Sequence, residues 1–346
     1  MMKIAHLPKS VVLELTYRCN HHCKFCSCPW FSPNSTYHKG KELTVDQWKT
    51  AVRKLYQLGV ESFSISGGEF LLKDGFDNII HYIRTEGNKL GIKNPIVAIS
   101  NALAMKEEYL WFFKEHDVHL SMSLPGYETF EEHTGVDNAD GVLRWFQLAR
   151  DIGLKSTVNI TVTRKNYDEL FQTIALGLIN GAQDILLNRF LPGGRGLAYM
   201  DELNLTTEQL NGMLDTAEEA LSYANRKGNV GTEIPMCAIK DVDKYKHIHV
   251  GYQCAAAKGF FVVDPAGFIR TCNHSPRVVG HVFDSPMITD VDYWNMFANS
   301  DYQPDMCTGC KLSHLCDCGC REVANILHGS PKEKDTSIDF SKHIPS

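Results

Sequence analysis

Apolar positions in the first half of the chain fall in short runs, and the stretches between them repeat with a helical period. The runs VVLEL (11 to 15), SFSIS (62 to 66), PIVAIS (95 to 100), VHLSMS (118 to 123), STVNITV (156 to 162) and DILLNRF (184 to 190) read as strands. Each is followed by a segment long enough for a helix or loop, the βαβα rhythm of a parallel sheet. The first intervening helix carries a capping box at Thr44 and Gln47, an apolar stripe at Val45, Trp48, Val52 and Leu55, and Gly59 as its terminator. Asn166 with Glu169 and Thr206 with Gln209 predict two further capping pairs. The expected fold is α/β, a partial (β/α)6 barrel of the TIM type over residues 1–230.

Beyond residue 230 the texture changes to short apolar runs, glycines and cysteines. Seven of the 12 cysteines lie between Cys254 and Cys320, and Cys237 stands just before them. Residues 231–346 are therefore expected to form a small cysteine-rich, metal-dependent domain, ending in a poorly ordered, flexible tail after Val323.

The 346 residues are 43% hydrophobic and 22% charged, ordinary for a globular chain, with a net charge of −6. No basic stripe is available to neutralise phosphates, which argues against nucleic acid and anionic membrane as partners. No apolar run approaches the roughly 20 residues of a membrane span, and the amino terminus lacks the apolar segment of a signal peptide. A cytoplasmic location is expected, where clustered cysteines are more often metal ligands than disulfides. His21 and His22 are expected to be exposed, His247 and His249 to mark a solvated face, and Trp48, Trp111 and Trp145 to pack in the core or on helix surfaces.

The segment LELTYRCNHHCKFCSCPW places Cys19, Cys23 and Cys26 at CxxxCxxC spacing directly after the first strand, at the carboxyl mouth of the expected barrel. Three thiolates on a short loop can hold three irons of a 4Fe-4S cluster and leave the fourth iron open to chelate an amine and a carboxylate. Structural zinc is the alternative, and it would recruit Cys28 as a fourth ligand.

With Phe25 before the last cysteine, this segment resembles the signature of the radical S-adenosylmethionine (radical SAM) superfamily. Ser66, Gly67, Gly68 and Glu69 close the second strand and resemble the family's GGE motif, whose backbone and carboxylate hold the methionine amino group. The resemblance implies further S-adenosylmethionine contacts at Ser100 and Asn101, at Ser121 and Ser123, and at Asn188. Arg195 would contact adenosine or substrate, or else be a solvated loop arginine.

Downstream, Cys254, Gly267 and Cys272, followed by CTGCKLSHLCDCGC, resemble the SPASM extension of that superfamily, which holds auxiliary iron-sulfur clusters. Carried over by position, Cys254, Cys272 and Cys320 would serve a first auxiliary cluster, and Cys307, Cys310 and Cys316 a second. The family's further cysteine after the last quartet is missing. Cys318 substitutes for it, or the second cluster keeps an open or non-cysteine ligand, or that cluster is absent. Cys237 would complete the first cluster or act as a thiol that gives a hydrogen atom to a substrate radical. A zinc ribbon is the competing reading of these cysteines.

The resemblance implies reductive cleavage of S-adenosylmethionine to a 5'-deoxyadenosyl radical, which abstracts hydrogen from a ribosomally made peptide during its maturation by crosslinking, thioether formation, epimerisation or oxidation. Maturation of a protein or small molecule (sulfatase-type, haem-type or sugar dehydrogenation) is the rival, and a non-catalytic zinc or iron-sulfur module the reading from another class. Expected partners are the precursor peptide and a flavodoxin- or ferredoxin-type reductant. Because the first strand starts near residue 11, leader binding is expected to be direct or to need a separate leader-binding protein.

Overall fold

The computed structural model describes residues 6–335. Its strands are β1 (Ser10–Glu14), β2 (Ser62–Ser66), β3 (Ile96–Ser100), β4 (Val118–Ser123), β5 (Ser156–Val162), β6 (Asp184–Arg189), β7 (Gly228–Val230), β8 (Ile248–Val250), β9 (Phe260–Val263), β10 (Phe268–Arg270) and β11 (Gly280–His281). The helices are α1 (Val45–Gln57), α2 (Phe76–Lys89), α3 (Glu107–Glu115), α4 (Phe130–Thr134), α5 (Ala139–Ile152), α6 (Leu170–Ile179), α7 (Met200–Leu203), α8 (Thr207–Ala224), α9 (Val291–Ala298) and α10 (Arg321–His328). Among the described residues the strands form one sheet, ordered β11-β10-β9-β1-β2-β3-β4-β5-β6-β7-β8.

The six strands expected from the sequence stand where the pattern put them, and consecutive members pair in parallel. The sheet continues past them on both sides. β7 and β8 extend it beyond β6, while β9 pairs in parallel with β1 and carries the antiparallel β10 and β11. Strands from both sides of position 230 thus share one sheet, so the expected domain boundary is not an edge of that sheet.

Side chains alternate across a strand, so the register sorts residues onto two faces. Leu13, Ile65, Ala98, Met122, Val158 and Leu187 share one face, and all are buried. Helices cover it so closely that a Cβ on Gly177 of α6 would meet Val158 at 2.9 Å. The other face carries Glu14, Ser64, Ser66, His119, Ser121, Ser123, Thr157, Asn159 and Asn188. A parallel sheet buried on both sides is normally apolar on both. This one is polar on its concave face, which suits a lining for a polar ligand.

Local signals set the helix ends. Thr44 and Gln47 form a complete capping box on α1, as do Thr206 and Gln209 on α8. Gly59, with φ of +89°, follows α1, and Val60 N–H closes back on Leu55 O at 3.0 Å.

The third expected capping pair does not form. Asn166 Oδ1 accepts from Thr163 N–H at 2.7 Å while its amide donates to Thr161 O and Pro125 O. Glu169 accepts from the N–H groups of Tyr127, Glu128 and Thr129. Asn166 instead closes on the turn after β5 and reaches the loop after β4 only through Pro125 O, while Glu169 is taken up wholly by that loop.

The tail is also corrected as far as the described residues reach. After Val323 the chain completes α10, and Asp335 is fully buried in an ion pair with Arg189 at 2.5 Å. Residues 336–346 lie outside the described residues. No described helix is long and apolar enough to cross a membrane.

Candidate active site and cysteine clusters

The loop carrying Cys19, Cys23 and Cys26 is held by its backbone. His22 N–H donates to Thr134 O and Lys24 N–H to His133 O, each at 2.8 Å, which fixes the loop on α4. On the other side Gly196 N–H donates to Cys26 O at 3.1 Å, and Arg195 Nη1 donates to Cys23 O at 3.1 Å. The Arg195 guanidinium lies 4.8 Å from the Phe31 ring centroid. Arg195 is therefore a clamp on the cysteine loop, and the solvated-arginine alternative does not hold.

All twelve cysteines are free. Burial pushes the Cys19 thiol up to about 11 and the Cys23 thiol well above its usual value, and the charge of Cys26 adds to both. Cys26 is instead drawn down, chiefly by a hydrogen bond from Cys28, whose own thiol is raised in turn. Three unpaired thiols that sense one another's charge on a backbone-fixed loop are a donor set suited to an iron-sulfur cluster.

His21 corrects the expectation of exposure. It is buried edge-on against Phe130, its Nδ1 lies 3.9 Å from Cys23 Sγ, and burial lowers its pKa to about 4. His22 is exposed as expected.

Glu69 stands where β2 ends, beside the cysteine loop. Gly68 N–H donates to Thr16 O and Glu69 N–H to Arg18 O, both at 2.8 Å. A Cβ on Gly67, at φ +140°, would sit 2.8 Å from Thr16 O, and one on Gly68 would clash with Arg18 O. The two glycines are thus required for the close approach of this turn to the chain leading to Cys19.

The buried Glu69 carboxylate accepts from Leu71 N–H at 3.2 Å, Ser100 Oγ at 3.0 Å and Asn101 N–H at 2.7 Å. A carboxylate has about four acceptor positions, so capacity remains for a ligand amino group. Burial pushes its pKa up to about 7 against those three donors. Asn101 Nδ2 also reaches Asn20 Oδ1 at 2.8 Å and lies 3.8 Å from Cys19 Sγ.

The remaining residues read as S-adenosylmethionine contacts divide between two places. Gly67, Gly68, Glu69, Ser100 and Asn101 gather at the strand ends beside Cys19. Ser121, Ser123 and Asn188 lie on the concave face instead, where Asn188 Nδ2 donates to Asn159 Oδ1 at 2.9 Å. Ser121 Oγ is buried without a protein partner, as a hydroxyl left for a ligand would be.

In the carboxyl-terminal part the cysteines form two groups. Cys254, Cys272 and Cys320 are buried; desolvation first, then the charge of Glu233, raises Cys254 and Cys320, with Cys272 adding to Cys254 and both Cys254 and Cys272 adding to Cys320. Asp317, missed in the sequence, holds the Cys254 end of this group by accepting from Cys254 N–H at 2.8 Å, Lys258 Nζ at 2.7 Å and Tyr302 OH at 2.9 Å. Asp335 accepts from Cys320 N–H at 2.8 Å.

The second group is Cys307, Cys310, Cys316 and Cys318, joined by Cys237. The Cys318 thiol lies 2.9 Å from Cys307 Sγ, and hydrogen bonds from it draw Cys316 down to about 6 and Cys307 to about 7. Of the two groups, Cys237 stands with this one: burial first, then the charges of Cys316, Cys307 and Cys310, push its thiol up to about 11.

His247 is not merely on a solvated face. Its Nδ1 contacts Glu218 at 2.8 Å, while His249 is exposed. Burial acts upward on Glu218, but its bonds from His247, Ile248 and Lys246 prevail and hold it down to about 2.

The comparisons with known proteins agree with this architecture. The family model described as "Radical SAM superfamily" matches residues 13–176. A PqqA peptide cyclase of Bradyrhizobium diazoefficiens is 24% identical over 350 residues, covering 97% of this chain and 87% of that protein. A PqqA peptide cyclase of Xanthomonas euvesicatoria is 26% identical over 352 residues, covering 98% and 90%. Among solved structures, Streptococcus suis SuiB bound to its precursor peptide SuiA superposes with a TM-score of 0.71 at 18% identity, covering 96% of this chain and 76% of that one. Native anSMEcpe with bound AdoMet and a Cp18Cys peptide gives 0.71 at 18% identity, covering 95% and 94%.

Proposed function

We infer, from the premise that the chain carries a radical SAM domain at residues 13–176, that it is an enzyme that cleaves S-adenosylmethionine reductively and modifies a ribosomally made peptide. One observation carries the catalytic half: the free-thiol loop of Cys19, Cys23 and Cys26 adjoins a buried carboxylate, Glu69, at the mouth of a polar concave face. The peptide half is supported by near full-length relatives named as cyclases of a peptide.

In this reading Cys19, Cys23 and Cys26 hold a 4Fe-4S cluster, which when bound supplies the electron that breaks the sulfonium bond. Glu69 accepts from the methionine amino group, with Ser100 and Asn101 N–H fixing its carboxylate. Ser121, Ser123 and Asn188 line the concave face toward the nucleoside and substrate. Cys254, Cys272 and Cys320 hold a first auxiliary cluster. Cys307, Cys310 and Cys316 take part in a second. The precursor peptide is the substrate, a flavodoxin- or ferredoxin-type protein the reductant, and the leader is bound directly or by a separate protein, all in the cytoplasm.

Anaerobically reconstituted protein, given S-adenosylmethionine, reductant and candidate precursor peptides, is expected to shift the mass of one peptide, with loss of two mass units for a crosslink or oxidation. Cleavage of S-adenosylmethionine with no peptide altered would move the reading to a protein or small-molecule substrate. No cleavage by dithionite-reduced protein, with zinc in place of iron and sulfide, would defeat it.

Glu69 makes a pH prediction. An amino group donates best to the ionised carboxylate, and burial has brought the Glu69 pKa to about 7. Since the Glu69 proton must leave before the amino group binds there, this carboxylate is expected to lower affinity for S-adenosylmethionine as pH drops below about 7, by up to tenfold per pH unit beyond the ligand's own titration. Glu69→Gln should bind weakly and lose most of that slope. Equilibrium dialysis across pH checks both, and an unchanged slope in the variant would remove Glu69 from this role.

A further inference from the structure

Each auxiliary trio named above is one thiolate short of the four that close a cluster, and the family's later cysteine does not occur after Cys320. The inference here concerns the second trio and rests on the reading that Cys307, Cys310 and Cys316 bind an iron-sulfur cluster.

Two further thiols stand beside that trio. Cys318 comes from the same loop, and Cys237 from the 3-10 turn Met236–Ala238. The turn is pinned on both sides: Ile234 N–H donates to Gly251 O at 3.0 Å, and Ala238 O accepts from Asn211 Nδ2 at 2.8 Å. Between these anchors Met236 N–H points at Cys316 Sγ at 3.5 Å. The residue next to Cys237 therefore already touches a member of the trio. The turn reaches the group from a different part of the chain than the 307–318 loop, so it supplies a thiol independent of that loop.

Cys318 is placed for another task. Its Sγ is in hydrogen-bond contact with Cys307 Sγ at 2.9 Å, and its backbone N–H donates to Cys316 Sγ at 3.3 Å. Terminal thiolates of a cubane bind separate irons and stand apart around it, so Cys307 and Cys318 in contact are not both ligands, and Cys307 belongs with Cys310 in the CxxC pair. The backbone at Cys318 has φ of +62°, a left-handed conformation that a non-glycine residue adopts at a cost. That conformation goes with the aim of its N–H at Cys316. Hydrogen bonds to cluster sulfurs are a recognised control on reduction potential.

We propose that Cys237 is the fourth protein ligand of the second auxiliary cluster, completing Cys307, Cys310 and Cys316, and that Cys318 donates hydrogen bonds there without binding iron. Cys237 is then a structural ligand and gives no hydrogen atom to substrate.

The test is iron and acid-labile sulfide content with Mössbauer and EPR spectra of the full chain after anaerobic reconstitution, needing no turnover. Cys237→Ala is expected to lose about four irons per chain, or to turn one cubane into a three-iron cluster with its own EPR signal. Cys237→Ser, close in size to the natural residue, should show altered spectra while circular dichroism reports an intact fold. Cys318→Ala should keep its iron and shift only the reduction potential of one cluster. Full iron and unchanged spectra in Cys237→Ala, with or without loss of peptide product, would overturn the assignment, as would iron loss in Cys318→Ala. Cys307→Ala separates the two levels of the argument. If it too keeps every iron, or if zinc is found, the second-cluster reading itself fails and this assignment with it.

Discussion

Replacing Cys19, Cys23 and Cys26 together by alanine is expected to abolish formation of 5'-deoxyadenosine while leaving the fold in place. The three thiols act as one ligand set, so each single variant should cost nearly as much as all three, since residues that work as a unit are grossly non-additive. The loop does not depend on them for its shape. His22 and Lys24 N–H hold it to α4, Gly196 N–H holds it to the turn after β6, and Arg195 clamps the carbonyl of Cys23. Far-UV circular dichroism and the denaturant midpoint of the triple variant should stay near those of the unaltered chain, while its iron content falls by about four per chain. Full S-adenosylmethionine cleavage by the triple variant would end the assignment of this loop.

What could be read in the sequence was what neighbouring residues decide. Six strands announced themselves because a run of five to seven apolar or alternating residues is a local pattern, and the boundaries of SFSIS, VHLSMS and STVNITV agree with β2, β4 and β5 residue for residue. Thr44 and Thr206 cap their helices as read because both bonds of a capping box close within four residues. β7, β8, β10 and β11 are two or three residues long, too short for any period to register. The parallel pairing of β9 with β1 joins positions 250 residues apart, from Ser10 to Phe260, and nothing local encodes it.

The site divides in the same way. Cys19, Cys23, Cys26, Gly67, Gly68 and Glu69 were visible as motifs with spacing. Glu169, His21 and Asp335 escape such a reading because the partner that fixes each lies far along the chain, and Asn166 because its amide closes on Thr163 and Thr161, shortly before it, rather than on the helix. Glu14 alone carried a usable signal: an acid inside the apolar run VVLEL has to find a cation if it is buried.

That cation is Arg270, and its replacement should give the largest loss of stability. Glu14 on β1 and Arg270 at the end of β10 form an ion pair with both side chains buried. Nearby, Asp264 accepts from Tyr17 OH and Tyr37 OH at 2.8 Å each, and the Arg270 guanidinium lies 5.8 Å from the Trp30 ring centroid and 5.7 Å from that of Tyr37. Burial opposes the charged guanidinium, but Glu14, Tyr37 and Asp264 together outweigh it and raise the Arg270 pKa. Two carboxyl groups thus share one buried cation, whose Nη1 also donates to Asn273 O at 3.0 Å and Ser275 O at 2.9 Å, bracketing the turn after Cys272. Arg270→Met leaves an uncompensated carboxylate and these carbonyls without their donor, a change expected to cost about 3 to 5 kcal/mol. Glu14→Gln should cost less, about 1 to 3 kcal/mol, because the guanidinium keeps its carbonyl partners and the charge of Asp264. Glu14→Leu combined with Arg270→Met should recover part of the loss, since a buried pair replaced by apolar side chains is often neutral. Urea unfolding midpoints with unchanged slopes would measure all three. An Arg270→Met midpoint equal to that of the unaltered chain would mean that this buried pair does not hold the carboxyl-terminal strands to the barrel.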